Sequence, residues 1–150
     1  MVDKYFREGR GVLRAEEYLE QYNKLDIIIE RKERMRSELL AVAESMGGGA
    51  FSADRVQTSR NLHRSTDALD KRIDIERQIK ELEAKKDEIL STLGLLPYNE
   101  NKVLYMLYID AYILKEIPSK FGKSYAWAKI HKKKGLQRLQ AILDERKDHG

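Results

Sequence analysis

The chain has 150 residues, 36% of them charged and only 8% aromatic; that is enough for one domain of ordinary size or two small ones, but not for a broad globular core. Two prolines, no run of β-branched residues alternating with polar ones, and no cysteine exclude strand-rich folds, disulfide frameworks and thiolate metal sites. The formal net charge is +4, and residues 102–150 hold 11 Lys+Arg against 5 Asp+Glu, so the positive excess is C-terminal.

An all-α protein in a reducing cytoplasm is therefore predicted. The opening "MVDKYFREGRG" lacks the apolar core of a signal peptide. No apolar run approaches the roughly 18 residues of a membrane span, so a soluble protein with no membrane partner is expected.

From Ala15 to Met46 the pattern is helical: Leu25, Ile28, Met35, Leu39, Val42 and Met46 recur at spacings of three and four, with Lys32 in the gap. That narrow stripe belongs to a coiled coil or helical hairpin. Gly47–Gly49 should end the helix, because three glycines cost too much helix propensity to lie inside one. A second helix is predicted from about Asp54 to Leu93, capped by Ser52 or Asp54. Its apolar positions are Leu62, Leu69, Ile73, Ile75, Ile79, Leu82, Ile89 and Leu93, with Lys86 in the stripe, and the phase shifts near Ile73–Ile75. Two such helices joined by a glycine turn should fold back as an antiparallel hairpin. The narrow stripes make Leu25, Ile28, Met35, Leu39, Val42, Ile79, Leu82 and Ile89 the candidates for self-association, as a homodimer, or for partner binding. "GLLPYNEN", Gly94 to Asn101, is the clearest boundary. It divides the chain into a hairpin, 1–93, and a C-terminal domain, 98–146.

Three short helices are predicted beyond it. The first runs from about Glu100 to Ala111, with Val103, Leu104 and Leu107 inward. The second runs from about Leu114 to Phe121, where Pro118 fits only a first turn. The third starts at Ser124. Tyr98, Tyr105, Tyr108 and Tyr112 read as core and boundary packing. Between Ser119 and Arg138 there are seven basic residues and no acidic one, a charge footprint of nucleic-acid binding. "ILKEIPSKF-GK-SYAWAKIHKKKGLQRL" supplies the parts of a helix-turn-helix in order, with Gly122 for the turn and Ser124 to cap the next helix.

Residues Asn101 to Leu139 resemble region four of sigma-factor-type helix-turn-helix domains. The likeness is carried by the aliphatic-rich "KVLYMLYID", by Glu116-Ile117, by Gly122-x-Ser124 and by the apolar pair Leu136 and Leu139. With "DRVQTSR", Asp54 to Arg60, in the hairpin, the stretch from Ala15 to Leu143 is similar to small phage and prophage proteins of Gram-positive bacteria, akin to the ArpU and RinA type regulators. Pro118 and Gly135 depart from the alanines usual at those places. The resemblance implies a regulator of late phage transcription, bound to double-stranded DNA near the nucleoid, with host RNA polymerase as a further partner. A genome-packaging protein of small-terminase type, and a sigma mimic that binds polymerase without DNA, remain as rival expectations.

Two registers of the third helix stay open. Anchored on the Ser124 cap, Ala128, His131, Leu136 and Leu139 turn inward. Anchored on hydrophobicity, Trp127 and Ile130 do. At about 100° per residue, Tyr125, Lys129 and Lys133 face outward in both, so they are the candidates for base and backbone contact. Lys120, Lys123, Lys132 and Lys134 are assigned to phosphates. Arg55, Arg60 and Arg64 are open to a partner or to solvent alone. His63 and His149 lack a second ligand at metal spacing, and no catalytic motif is present; no metal, cofactor or enzymatic activity is expected.

Overall fold

The computed structural model describes residues 14–48 and 58–149. All regular structure among them is helical: α1 Ala15–Gly48, α2 Thr58–Leu93, α3 Tyr98–Leu104, α4 Ile117–Phe121 and α5 Tyr125–His149. A π-helical turn, Tyr105–Ile109, extends α3, and a 3-10 turn, Leu114–Glu116, leads into α4. Helix α1 ends inside the glycine run rather than before it, at Gly48. The proposed caps Ser52 and Asp54, the side chain of Leu62 and most of "DRVQTSR" lie outside the described residues; Arg64 is exposed. No helix of the described residues is long and apolar enough to cross a membrane.

Contacts divide the chain into two compact units, and the division cuts both long helices rather than the Gly94–Pro97 turn. Leu25–Lys85 form one unit; among the described residues, 14–24 join those from Lys86 onward in the other.

In the Leu25–Lys85 unit, Ile29 packs with Ile75 and Ile79, and Leu39 and Leu82 close over them. Among the less exposed positions here, Leu25, Ile29, Lys32, Arg36, Leu39 and Ala43 form one series on α1, flanked by Asp26 and Glu33, and Ala68, Arg72, Ile75, Ile79 and Leu82 form another on α2, flanked by Asp74, Glu76 and Gln78. Both series alternate four and three, the spacing of a helix-helix seam. The expected phase shift at Ile73–Ile75 is absent, because Ala68 and Arg72 carry the seam through this stretch while Leu69 and Ile73 stand outside it, 45% and 55% exposed. The expected α1 stripe also splits. Leu25 and Leu39 belong to the seam, but Ile28, Met35 and Val42 are 39%, 49% and 43% exposed. Three consecutive isoleucines, 27–29, offer three phases, and Ile29 is the one in step with Leu25, Lys32 and Leu39. Lys32 is satisfied in the seam by donating to Gln78 Oε1 at 2.6 Å, and Gln78 in turn donates to Asp74 at 2.9 Å.

The second unit is built from both ends of the described chain. Val103, Ile117 and Ala128 form its centre, covered by Met106, Leu107, Tyr112, Leu114, Phe121 and Trp127. Leu19 of α1, Leu93 of α2, Leu104 of α3 and Leu139 of α5 are also fully buried. Removing each such side chain from water is worth about 2 kcal/mol. Polar ties join the layers. Gln140 Oε1 accepts from the Ala15 backbone N–H at 2.8 Å, filling one of the orphan donors at the start of α1. Asn23 Nδ2 donates to the Tyr108 carbonyl at 2.8 Å, and Asn101 Nδ2 to the Leu93 carbonyl at 2.6 Å at the end of α2. Thr92 Oγ1 lies 3.0 Å from the Tyr18 hydroxyl and accepts from Arg146 at 2.8 Å. Lys86, read from the sequence as a gap in the stripe, sits 4.8 Å over the Tyr22 ring. The tyrosines expected to pack divide: Tyr108 and Tyr112 are half-buried, whereas Tyr98 and Tyr105 are exposed.

Candidate nucleic-acid interface

The segment from Leu114 to Leu139 is shaped by three backbone devices. Pro118 is buried and stands in the first turn of α4, where its missing N–H would have had no helical partner. Gly122 ends α4 in the left-handed region, φ 62° and ψ 36°, a conformation that costs a residue with a Cβ more than glycine. The Lys123 N–H then returns to the Pro118 carbonyl at 2.9 Å. Ser124 Oγ accepts from the Trp127 N–H at 3.1 Å, so the predicted cap is present at the start of α5.

Side chains tie α4 to α5 and α5 to α3. Phe121 lies 5.3 Å from Trp127, and Trp127 4.7 Å from His131, centroid to centroid. His131 Nδ1 is 3.5 Å from Glu100 Oε1, a carboxylate that is itself buried. Gly135 lies against α3: a Cβ built there would come within 2.8 Å of Leu104 Cδ1 and 3.3 Å of Glu100 Cβ. Alanine at this place would therefore require Leu104 to move.

These contacts settle the register of α5. Ala128 and Leu139 are buried and His131 and Leu136 half-buried, as the Ser124 anchor predicts, and Gly135 is buried with them. Trp127 is half-buried against the core, but Ile130 is 50% exposed, so the register anchored on hydrophobicity is overturned. With the inward line drawn through Ala128, Gly135 and Leu139, the residues opposite it at about 100° per step are Ala126, Ile130, Lys133 and Gln137. All four are exposed.

Comparisons with family models, with curated proteins and with solved structures find no match.

The sequence-predicted residues do not all fall in one place on this frame. Tyr125, Lys129 and Lys133 are exposed at spacings of four, along one side of the outward face; the Lys129 ammonium sits 5.7 Å over the Tyr125 ring. Lys123 and Lys134 are exposed at the turn and on the other flank. Lys120 is exposed on α4, with its ammonium 4.6 Å over the Tyr112 ring. Lys132 alone is half-buried and turned toward the body of the unit, so it is the poorest placed of the set for phosphate contact. Ala126 and Gln137 were not among the residues predicted from the sequence, and Ile130 was expected inward in one of the two registers. Once the Ser124 cap fixes the phase, helical geometry puts them at the centre of the face. Arg138 is also exposed, one turn beyond Lys134.

This surface offers chemistry of two kinds. Lysine ammoniums and the capped N-terminus of α5 suit phosphate oxygens. Ile130 and Ala126 present apolar groups that suit a thymine methyl, and Gln137 can address adenine through its amide. Among the described residues no three His, Asp or Glu side chains converge as a metal site needs.

Proposed function

We propose that this chain is a DNA-binding transcription regulator of the phage type. In this reading α4, the Gly122 turn and α5 act as a helix-turn-helix, and α5 enters the major groove. The observation that carries it is the outward face of α5: Tyr125, Lys129, Lys133 and Lys134 exposed around Ile130 and Gln137, in a stretch with no acidic residue from Ser119 to Arg138. The αL glycine and the serine cap that define the turn support the same reading.

Double-stranded DNA is the proposed partner, and late phage promoters in the bacterial nucleoid are the proposed targets. The paired helices α1 and α2 are assigned to self-association, with host RNA polymerase as a further contact. Arginine is missing from the centre of the face, so bidentate guanine readout is weak. Modest sequence preference on top of a strong phosphate term is expected.

The test is a fluorescence-polarisation titration of the full chain against late-promoter DNA and a shuffled duplex over a salt series, with the Lys129→Glu/Lys133→Glu variant alongside. Preference for the promoter, lost in the variant, supports the regulator. Equal weak binding to both duplexes, unchanged in the variant, rules it out.

A further inference from the structure

Helix α1 carries a second stripe that its seam with α2 leaves uncovered. Ile28, Met35 and Val42 recur every seven residues and are 39%, 49% and 43% exposed. On average they lie roughly 40° around the helix from the seam residue Leu39 and about 120° from Ile29. A heptad-spaced apolar row with no partner is the kind of surface that a further helix covers.

The charges within this row say which helix. Arg31 and Glu38 sit on the same side, one helical turn to either side of Met35, and both are exposed. The row therefore reads apolar, basic, apolar, acidic, apolar: Ile28, Arg31, Met35, Glu38, Val42. Turned end for end about Met35, it matches itself to within one residue, Arg31 standing four positions before Met35 and Glu38 three after. Ile28 then meets Val42 of the other copy, Met35 meets Met35, and Arg31 meets Glu38 twice over. Parallel alignment would instead place Arg31 against Arg31 and Glu38 against Glu38, which is destabilising. A self-complementary patch is what a two-fold contact between identical chains requires.

We infer that α1 pairs with α1 of a second copy of this chain, antiparallel and centred on Met35. This rests on the assignment of the paired helices to self-association and adds its face and its direction. Leu25, Leu39, Ile79 and Leu82 are taken up in the seam, and Ile89 is buried in the other unit; Ile28, Met35 and Val42 form the contact between chains.

The test is sedimentation equilibrium on the full chain, with circular dichroism to show that each variant keeps its helix. The wild-type chain is expected to be a dimer. Arg31→Glu alone, or Glu38→Arg alone, sets like charges together at both symmetric contacts and should weaken dimerisation on the order of tenfold. The double variant Arg31→Glu/Glu38→Arg restores opposite charges and should return the dimer toward wild-type strength. A monomeric wild-type chain overturns self-association and the inference with it. A dimer indifferent to the single reversals, or not restored by the double one, leaves self-association standing and overturns this face and direction.

Discussion

Gly135 of α5 touches Leu104 of α3 so closely that a Cβ at 135 would stand 2.8 Å from Leu104 Cδ1. Leu104 is fully buried and has little room to withdraw. Replacing glycine by alanine inside a helix ordinarily stabilises by about 1 kcal/mol, but overpacking a tight core contact costs about 1–3 kcal/mol. Gly135→Ala should therefore lower stability by about 1 kcal/mol net in urea unfolding. Adding Leu104→Ala should relieve the clash, so the two changes should cost less together than the sum of their separate costs.

Ser124 can be separated into its two roles. Ser124→Ala removes the acceptor for the Trp127 N–H and should cost about 1 kcal/mol of stability. Ser124→Asp keeps an acceptor and should hold stability near wild type, yet its negative charge at the start of α5 should weaken DNA binding. Thermal unfolding and a DNA titration on the same two proteins check both halves.

Exposure should decide which lysines matter to DNA. Lys133→Ala should reduce the slope of log K against log salt by about 1, the mark of one lost phosphate contact. Lys132→Ala, at a half-buried position only one residue away, should leave that slope near the wild-type value.

Glu100 is buried and its carboxylate faces His131 Nδ1 at 3.5 Å. His131→Ala leaves that carboxylate buried without its partner and should destabilise by about 2–3 kcal/mol. His63 pairs with Asp67 at 3.7 Å on an open surface, with 81% of its side chain exposed. His63→Ala should produce no measurable loss in the same unfolding assay.

Tyr108 gives an alkaline limit. Burial, and then the carboxylates of Glu16 and Glu20, hold its phenol above the usual range, and Glu16 also accepts its hydrogen bond. The unfolded chain then ionises this group first, so the stability it contributes is complete below about pH 10 and is lost as pH rises beyond that. Tyr108→Phe should flatten the decline of stability above about pH 10, read from urea midpoints across a pH series.

The sequence was informative where a local rule had one solution. The all-α class followed from composition and helical spacing. The C-terminal cap at Gly122 and the N-terminal cap at Ser124 followed from residue types with little competition at those positions. It was least informative where neighbours competed. Ile27, Ile28 and Ile29 present three phases to α2, and the choice of Ile29 depends on Ile75 and Ile79, more than forty residues away in the chain. The α5 register was open for a similar reason. Trp127 and Ile130 favour one phase, and the close approach of Gly135 to Leu104, invisible in a pattern of hydropathy, fixes the other. Polar ties such as Gln140 to Ala15 and Asn23 to Tyr108 have no periodic signature at all.

The hydrogen bond from Ala15 to Gln140 spans 125 residues of chain, whereas the Leu25–Lys85 unit is a single continuous segment. On a ribosome the two units therefore mature in a fixed order. Leu25–Lys85 can collapse as soon as its own residues emerge, since its contacts close comparatively short loops. Leu19 belongs to the other unit and cannot be fully buried until residues from Lys86 onward have been made. The start of α1 thus stays unsheltered while the residues that follow it are made, and the unit that holds α5 is the last part of the described protein to become native.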